Sequence, residues 1–524
     1  MAALVVFLGL TLPWLNPITW GPITGAVPLW FSWVSASVAL GVIAARPADW
    51  SARRLMRLAA GAWLVAALIS VLMGLMQYFG AVEFLRGWIS PTPLGVAFAN
   101  LRQRNQFASL TSMGLVALLW WVTCQATPIT RSQRSSSTST LPTLPFEAAP
   151  RLQAGLPLAG TLGAALLLGV GNAASSSRTG LMQLMLIAGL TLVWGQLRHP
   201  TVRRTLLATV LIYGLASVAL PWLAGLDPFG SGAWARLRDG DAACASRLTL
   251  WGNVLHLIAQ KPWLGWGWGE LDYAHFITLY PGERFCDILD NAHNLPLHLA
   301  VELGLPAAVL LCGAALWAGW RAKPWVDTDP LRQLAWTVMA VILLHSQLEY
   351  PLWYGPFQVA LGLSGWFLWH TRASAASAGG KTDFHTDAPT AFNANLKTFG
   401  PLAGVSIALA ASFFIAFGAY ATWDYHRISQ IYLSPAKRLA AYRENTLSKI
   451  QDSVLFEQQV RFAELTTTPL TPANAARLHS LALALLHFSP EPRVIEKLID
   501  SAELLGQPDE AEFYRVRYRA AFAQ

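Results

Sequence analysis

Windows of about 17–22 apolar residues, the length that crosses roughly 30 Å of hydrocarbon, recur along most of the chain. Eleven are read as spans, near 3–16, 27–45, 58–79, 107–125, 154–171, 180–197, 205–225, 295–319, 334–348, 355–370 and 400–421. The first is short, and no Lys or Arg precedes it, which fits an uncleaved anchor better than a secretory signal. Stretches 126–152 and 371–398 are polar and read as flexible linkers; the first is rich in Ser, Thr and Pro. From 435 to 522 the pattern turns to short helical periods, broken at Pro472, at "SPEP" from Ser489 and at "GQPDE" from Gly506. Three or four antiparallel helices are expected there, resembling a helical-repeat module, with Thr471 as N-cap ahead of Pro472.

Composition agrees. With 54% hydrophobic and 13% charged residues among 524, and a mean hydropathy of +0.40, the chain is too apolar for an ordinary soluble domain. The fold class expected is all-α, a polytopic membrane bundle divided into helices 1–225, a long ordered loop 226–292, helices 293–421 and a helical tail 422–524. Lys and Arg gather in alternate connections: Arg46, Arg53, Arg54 and Arg57; Arg131, Arg134 and Arg151; Arg198, Arg203 and Arg204; Arg321, Lys323 and Arg332; Arg372, Lys381 and Lys397. The positive-inside bias makes these cytoplasmic, which puts the N-terminus inside and the tail outside. The net charge of +8 therefore follows from topology, and no nucleic-acid-binding motif accompanies it. Cys244 and Cys286 share the external loop, where an oxidising compartment lets them pair; Cys124 and Cys312 fall in spans and read as small buried hydrophobes. Trp263, Trp266 and Trp268 of "KPWLGWGWGELDYAHF" suit the membrane interface.

Several residues on the external side break the insertion bias and ask for a local reason. Arg86, Arg102, Arg104 and Arg178 lie in short external segments, while Arg247 and Arg284 lie in the large loop. Gln103, Asn105 and Gln106 surround Arg104 in "NLRQRNQFASL". In "DILDNAHNLPLHLAVELGLP", Asp287, Asp290, Asn291, His293 and Asn294 stand at the mouth of a span. The tip "HSQLEYPLWYGPF" adds His345, Glu349, which must be paired or solvated, and Tyr350. Planar guanidiniums beside a membrane suit a phosphate or pyrophosphate group, and a lipid-borne phosphate is the natural anion outside the cytoplasm.

Taken together, "RQRNQFA", "SSSRTG", "SRLTLW", "GWGWG", "DNAHNLPLHLAVELGLP" and "HSQLEYPLWYGPF" resemble the O-antigen ligase and polymerase superfamily, above all its bacterial O-linked protein oligosaccharyltransferase branch. That family carries His, Asn, nine residues and Gly in its external catalytic loop, matched here by His293, Asn294 and Gly304. Lipopolysaccharide ligases often continue with Gly and Thr, whereas Leu305, Pro306 and Ala307 follow here, which favours the protein-modifying branch. The resemblance implies a GT-C-like bundle in the bacterial inner membrane with a periplasmic active site. It also implies transfer of a preassembled glycan from undecaprenyl-pyrophosphate to Ser or Thr of an exported protein such as a pilin. By likeness His293 is the catalytic residue, and Tyr350 with Gln106, or else Gln103, contacts the glycan.

The chemistry this requires is a base for a weak hydroxyl nucleophile, which imidazole supplies, and cations for the departing pyrophosphate, for which Arg178, Arg247 and Arg104 are the candidates. Direct displacement would invert the anomeric carbon, without ATP. Asn294 and Asp290 orient either the histidine or the substrate. No compact metal-ligand spacing is evident, so no metal or other cofactor is expected, although Asp287 and Asp290 leave a cation as an alternative. His298 falls on another face of the helix from His293, and both it and His345 read as hydrogen-bonded intramembrane residues, His345 within reach of the cavity. The competing readings are a ligase acting on lipid A core, an O-antigen polymerase, and a transporter; repeated halves with broken helices, common in transporters, are not seen.

Overall fold

A computed structural model describes residues 1–17, 26–45, 50–85, 87–126, 158–232, 236, 238, 243–288, 290–372 and 401–522. The two linkers expected at 126–152 and 371–398 lie almost wholly outside these residues. Among the described residues the chain forms helices and turns and no β-strand. The first group of helices is α1 (Ala2–Leu15), α2 (Ala26–Ala45), α3 (Ala52–Tyr78), α4 (Arg104–Ala126), α5 (Leu158–Ala174), α6 (Arg178–Val193) and α7 (Pro200–Leu223). A loop region carries α8 (Arg247–Gln260) and α9 (Leu271–Ile277). The second group is α10 (Leu295–Leu303), α11 (Leu305–Ala322), α12 (Pro330–Ser346), α13 (Gly355–His370) and α14 (Pro401–Ser429). Six helical segments among the described residues are long and apolar enough to cross a bilayer, and the chain is a multi-pass membrane protein. The other expected windows fall on shorter helices.

Local sequence explains where many of these helices start. Ser51, Ser177, Ser246, Asn294 and Asp329 each stand at an N-cap and accept a hydrogen bond from a backbone N–H of the first turn, at 3.0–3.1 Å. A donor that would otherwise face a dry environment is thereby satisfied. α4 runs through the middle of the bundle, with Phe107, Leu110, Met113 and Leu118 fully buried. Close approach between helices uses small residues, as membrane packing favours. At Gly171 of α5, a Cβ would lie 2.2 Å from Val71 of α3.

The window at 295–319 departs from expectation, because it is two helices broken at Gly304 rather than one span. Gly304 has φ +86°, and a Cβ there would sit 2.2 Å from the Trp263 carbonyl oxygen. The "GWGWG" segment crosses at this break: Leu305 N–H donates to Pro262 O (2.8 Å), Trp266 N–H to Val301 O (2.8 Å) and Gly267 N–H to Glu302 O (3.0 Å). The glycine of the His-Asn-x9-Gly pattern is thus the point where another backbone lies against the helix, which no side chain permits. Trp263 and Trp268 stay exposed, while Trp266 donates through Nε1 to Leu257 O (3.0 Å).

The loop region packs as an ordered cap. Leu250, Val254, Leu257, Leu271 and Ala274 form one apolar cluster with Ala300, Val301 and Ala308. Cys244 and Cys286, 42 residues apart, are joined by a disulfide with Cα atoms 5.2 Å apart. Cys124 is exposed near the end of α4, against the expectation that it would be buried; Cys312 is half-buried.

The tail holds four helices, α15 (Glu457–Thr467), α16 (Ala475–Leu486), α17 (Pro492–Leu504) and α18 (Pro508–Phe522), with breaks at the anticipated Pro and Gly positions. The cap at Thr471 is corrected. Asn474 is the residue before α16, and its Oδ1 accepts from Thr471 N–H (2.8 Å), so Pro472 belongs to a turn ahead of the helix. The tail core takes in Phe276 from α9, with Tyr273 and Ile288 packed against it, and Arg517 Nε donates to Ile277 O (2.7 Å). The tail therefore grips the same loop that leads to His293.

Candidate active site

The polar residues at one end of the bundle meet at the carboxylate of Glu349, whose side chain is 5% exposed. Glu349 lies in the turn after α12, and four side chains from three other segments reach it. His293 Nδ1 is 3.0 Å from Oε2, Gln103 Nε2 donates to Oε2 at 2.9 Å, and Asn105 Nδ2 donates to Oε1 at 2.9 Å. Arg247, the first residue of α8, forms an ion pair with Oε1. Burial alone raises the Glu349 carboxyl, but the hydrogen bond and charge of His293, with the charge of Arg247, outweigh it and hold the group below the ordinary carboxylate range. The carboxylate is therefore the ionised, hydrogen-bonded hub of the cluster.

Local backbone presents His293 to this hub. Its φ of +51° is a left-handed conformation that β-carbon sterics disfavour, and Asn291 Oδ1 holds it by accepting the His293 N–H at 2.8 Å. Asn294 then starts α10 and ties it to the neighbouring turn through Nδ2 to Gln347 O (3.1 Å). With Nδ1 facing Glu349, the tautomer with a proton on Nδ1 is favoured, in which Nε2 carries the lone pair. The Tyr350 ring stands edge-on at 5.1 Å from the imidazole, and burial, with nearby Tyr354, Asp290 and Glu349, raises its phenol above the ordinary range. The phenol stays protonated and can donate.

Not every expected residue joins this hub. His293, Arg247, Gln103 and Tyr350 come together, with Asn294 holding the loop. Asp290 is exposed, with its charge felt at Tyr350, and the imidazole's carboxylate partner is Glu349. Arg178 opens α6 beside Ser177, whose Oγ donates to Asn105 Oδ1 at 2.5 Å, so it borders the cluster by one residue. Arg104 opens α4 next to Gln103, half-buried. Gln106 is 1% exposed and turns to Tyr354 instead. Arg284 is occupied with the loop itself, donating to Thr278 O (2.9 Å) and His275 O (2.8 Å).

His345 does not reach a cavity: it is fully buried one turn before Glu349, with Nδ1 2.9 Å from Ser109 Oγ. His298 is also buried, 3.4 Å from Glu302. Glu349, Asn105 and Asn291 carry much of the geometry without having been given a role from sequence. The one signal for Glu349 was its misfit as a carboxylate at the membrane edge.

Comparison with known proteins bears on the same segments. Three family models match: "Protein glycosylation ligase" over residues 97–122, "O-Antigen ligase" over 163–312, and "Virulence factor membrane-bound polymerase, C-terminal" over 333–524. Gln103 and Asn105 fall in the first, Arg247 and His293 in the second, and Glu349 in the third. A General O-oligosaccharyltransferase of Acinetobacter baylyi is 30% identical over 118 residues, 22% of this chain and 20% of that protein. A ComP-specific O-oligosaccharyltransferase of the same organism is 24% identical over 191 residues, 36% of this chain and 34% of that protein. The matched regions thus span between a fifth and about a third of these relatives' lengths. Its three matched segments converge on one polar hub, and the chain is thus similar to the O-antigen ligase superfamily and, in one segment, to its protein glycosylation ligase branch.

Proposed function

We propose that the chain transfers a preassembled oligosaccharide from undecaprenyl-pyrophosphate to a Ser or Thr hydroxyl of an exported protein such as a pilin, at the periplasmic face of the bacterial inner membrane. The observation that carries this reading is the contact of His293 Nδ1 with Glu349, shared with Arg247 on the same carboxylate. His293 Nε2 takes the proton of the acceptor hydroxyl as its oxygen bonds to the anomeric carbon. Glu349 orients the ring and stabilises the imidazolium that forms. The bond from the anomeric carbon to the pyrophosphate oxygen breaks as the new one forms, so the configuration inverts, and the electron pair leaves on the carrier pyrophosphate.

Arg247, Arg178 and Arg104 are assigned to that developing anion. Arg247 Nε is buried without a hydrogen-bond partner among the described residues, so the guanidinium has a donor left for a phosphate oxygen while another nitrogen holds Glu349. The apolar helices beside α10 offer the bilayer in which the donor's prenyl tail lies. The N-terminus is then cytoplasmic, and the tail stands outside with the site.

The test is reconstitution of the full chain in liposomes with a defined undecaprenyl-pyrophosphate glycan and a candidate pilin, read by intact mass. Addition of one glycan to the pilin supports the reading, and an unchanged pilin mass contradicts it. The matches to O-antigen ligase and membrane-bound polymerase models favour a second reading, in which the acceptor is itself a glycolipid. In the same assay that reading gives lengthened lipid-linked chains and an unmodified pilin.

A further inference from the structure

At the end of the bundle far from Glu349, a cavity of about 300 Å³ opens between two turns and the last turns of α4. α12 starts at its wall with Pro330 and runs about 25 Å before the chain turns to Glu349, so the cavity stands apart from the site around His293. Its walls include Trp194 to Gln196 and His199 between α6 and α7, and Trp325 to Thr328 between α11 and α12. The two turns are tied together. Trp194 Nε1 donates to Pro324 O (2.8 Å), Gln196 Nε2 to Gln333 Oε1 (2.6 Å) and Gln333 Nε2 to Asp327 O (2.6 Å).

Charge around this cavity is one-sided. The two acids of the α11–α12 turn are already paired: Asp327 accepts from Arg332 Nε (2.6 Å) and Trp336 Nε1 (3.3 Å), and Asp329 pairs with Arg53. Arg198 and Lys323 flank the walls with exposed side chains that have no hydrogen-bond or ion-pair partner among the described residues. The Arg198 guanidinium lies against one wall, since a Cβ on Gly195 would sit 3.7 Å from its Nε.

Deeper in the bundle, a second cavity of about 20 Å³ shares Trp194, Gln196, Pro330 and Gln333 and adds Trp120 of α4. Trp120 is 7% exposed, and its Nε1 has no hydrogen-bond partner among the described residues. An unpaired N–H at that depth is costly, so an acceptor brought in by a ligand is favoured there. The rim itself is apolar, with Val193, Trp325 and Val326 exposed where the bilayer interface would lie.

We infer that this cavity is a headgroup site for an anionic glycerophospholipid. The phosphate meets Arg198, His199 and Lys323, an ester carbonyl a few bonds away accepts from Trp120 Nε1, and the acyl chains leave over Val193 and Val326 into the bilayer. A zwitterionic headgroup brings an ammonium against the same cations. A soluble phosphate ester has neither the carbonyl nor the chains. The site does not depend on the transfer reaction, so a chain that transfers no glycan still binds lipid here.

The test is native mass spectrometry of the full chain in detergent micelles, titrated with phosphatidylglycerol or phosphatidylethanolamine of matched acyl chains, with glycerol 3-phosphate as soluble competitor. Phosphatidylglycerol is expected to bind at least about fivefold more tightly, and Arg198→Ser and Lys323→Ser are each expected to weaken it about fivefold. Thr328→Trp, which fills the cavity and leaves every charge in place, is expected to weaken it at least as much. Arg372, stacked on Trp369 at 3.5 Å at the same end of the bundle, is not on the lining, and Arg372→Ser should change binding by less than about twofold. Equal affinity for the two lipids overturns the assignment, as does unchanged binding in Thr328→Trp. A loss in Arg372→Ser as large as in Arg198→Ser does the same, because it means diffuse attraction to the surface. Displacement of the lipid by equimolar glycerol 3-phosphate overturns it in favour of a soluble phosphate ester. Arg198→Ser and Thr328→Trp act on the site independently, so either decides the matter if the other does not fold.

Discussion

The two polar ends of the bundle use the same residue types in different ways. At one end Arg53 pairs with Asp329, Arg332 Nε with Asp327 at 2.6 Å, and Gln196 donates to Gln333 at 2.6 Å. Those partners also tie neighbouring helices together: Arg332 donates further to Leu368 O (3.0 Å) and Thr371 Oγ1 (2.6 Å), Asp327 accepts from Trp336 Nε1 (3.3 Å), and Asp329 caps α12. At the other end four side chains crowd onto the single carboxylate of Glu349, His293 is left 19% exposed beside it, and Arg247 Nε has no hydrogen-bond partner among the described residues. Contacts of that kind hold helices in place. An over-subscribed carboxylate with spare donors and a reachable imidazole is arranged for something that binds and reacts.

The sharpest way to break this comparison is at Glu349. Glu349→Gln removes the charge that orients His293 and pairs Arg247, and transfer should fall by about 10- to 100-fold, the usual loss for an outer partner of a functional histidine. The same substitution has a pH signature. Because the folded carboxyl is held below its ordinary value, its stabilising contribution is fully present above the ordinary carboxylate pKa and is lost as pH falls through the lowered folded value. The stability gap between the native chain and Glu349→Gln should be flat above about pH 5 and close in more acidic solution, as read by thermal unfolding in detergent.

A smaller effect is expected where the loop crosses α10 and α11. Gly304→Ala places a methyl against the Trp263 carbonyl in a backbone conformation that alanine disfavours. A loss of about 1–3 kcal/mol in stability should follow, with weakened transfer because the same loop carries His293. Normal stability and transfer would mean that the crossing does not set the site. At the opposite end, Arg53→Ala should cost about 1 kcal/mol or less, since this pair is partly open to solvent at 25% and 20% exposure, and transfer per folded molecule should not change. A large loss of transfer there would erase the distinction between the two ends.

How far the sequence reaches depends on the separation of the partners. Helix starts at Ser51, Ser177 and Ser246 and the tail breaks at Pro472 and Gly506 are encoded within a few residues, so local pattern finds them, give or take the shift from Thr471 to Asn474. His293 was legible through its motif and its place at the mouth of an apolar run. Its partner was not, because Gln103 and Glu349 are 246 residues apart and Arg247 and Glu349 are 102 apart, and only the packed bundle joins them. The break at Gly304 was hidden for a similar reason. Its cause is the backbone of Pro262 to Gly267, and the local signal, Gly304 followed by Pro306, sits between apolar residues that read on as one span.

The central claim is that His293 is the base, and one measurement bears on it most directly. Single-turnover transfer from a lipid-linked glycan to an acceptor hydroxyl should be compared in native chain and His293→Ala, with donor binding measured in the same preparation. The account predicts a fall of about 100-fold or more in transfer with donor binding retained. Transfer at near-native rate in His293→Ala would contradict it.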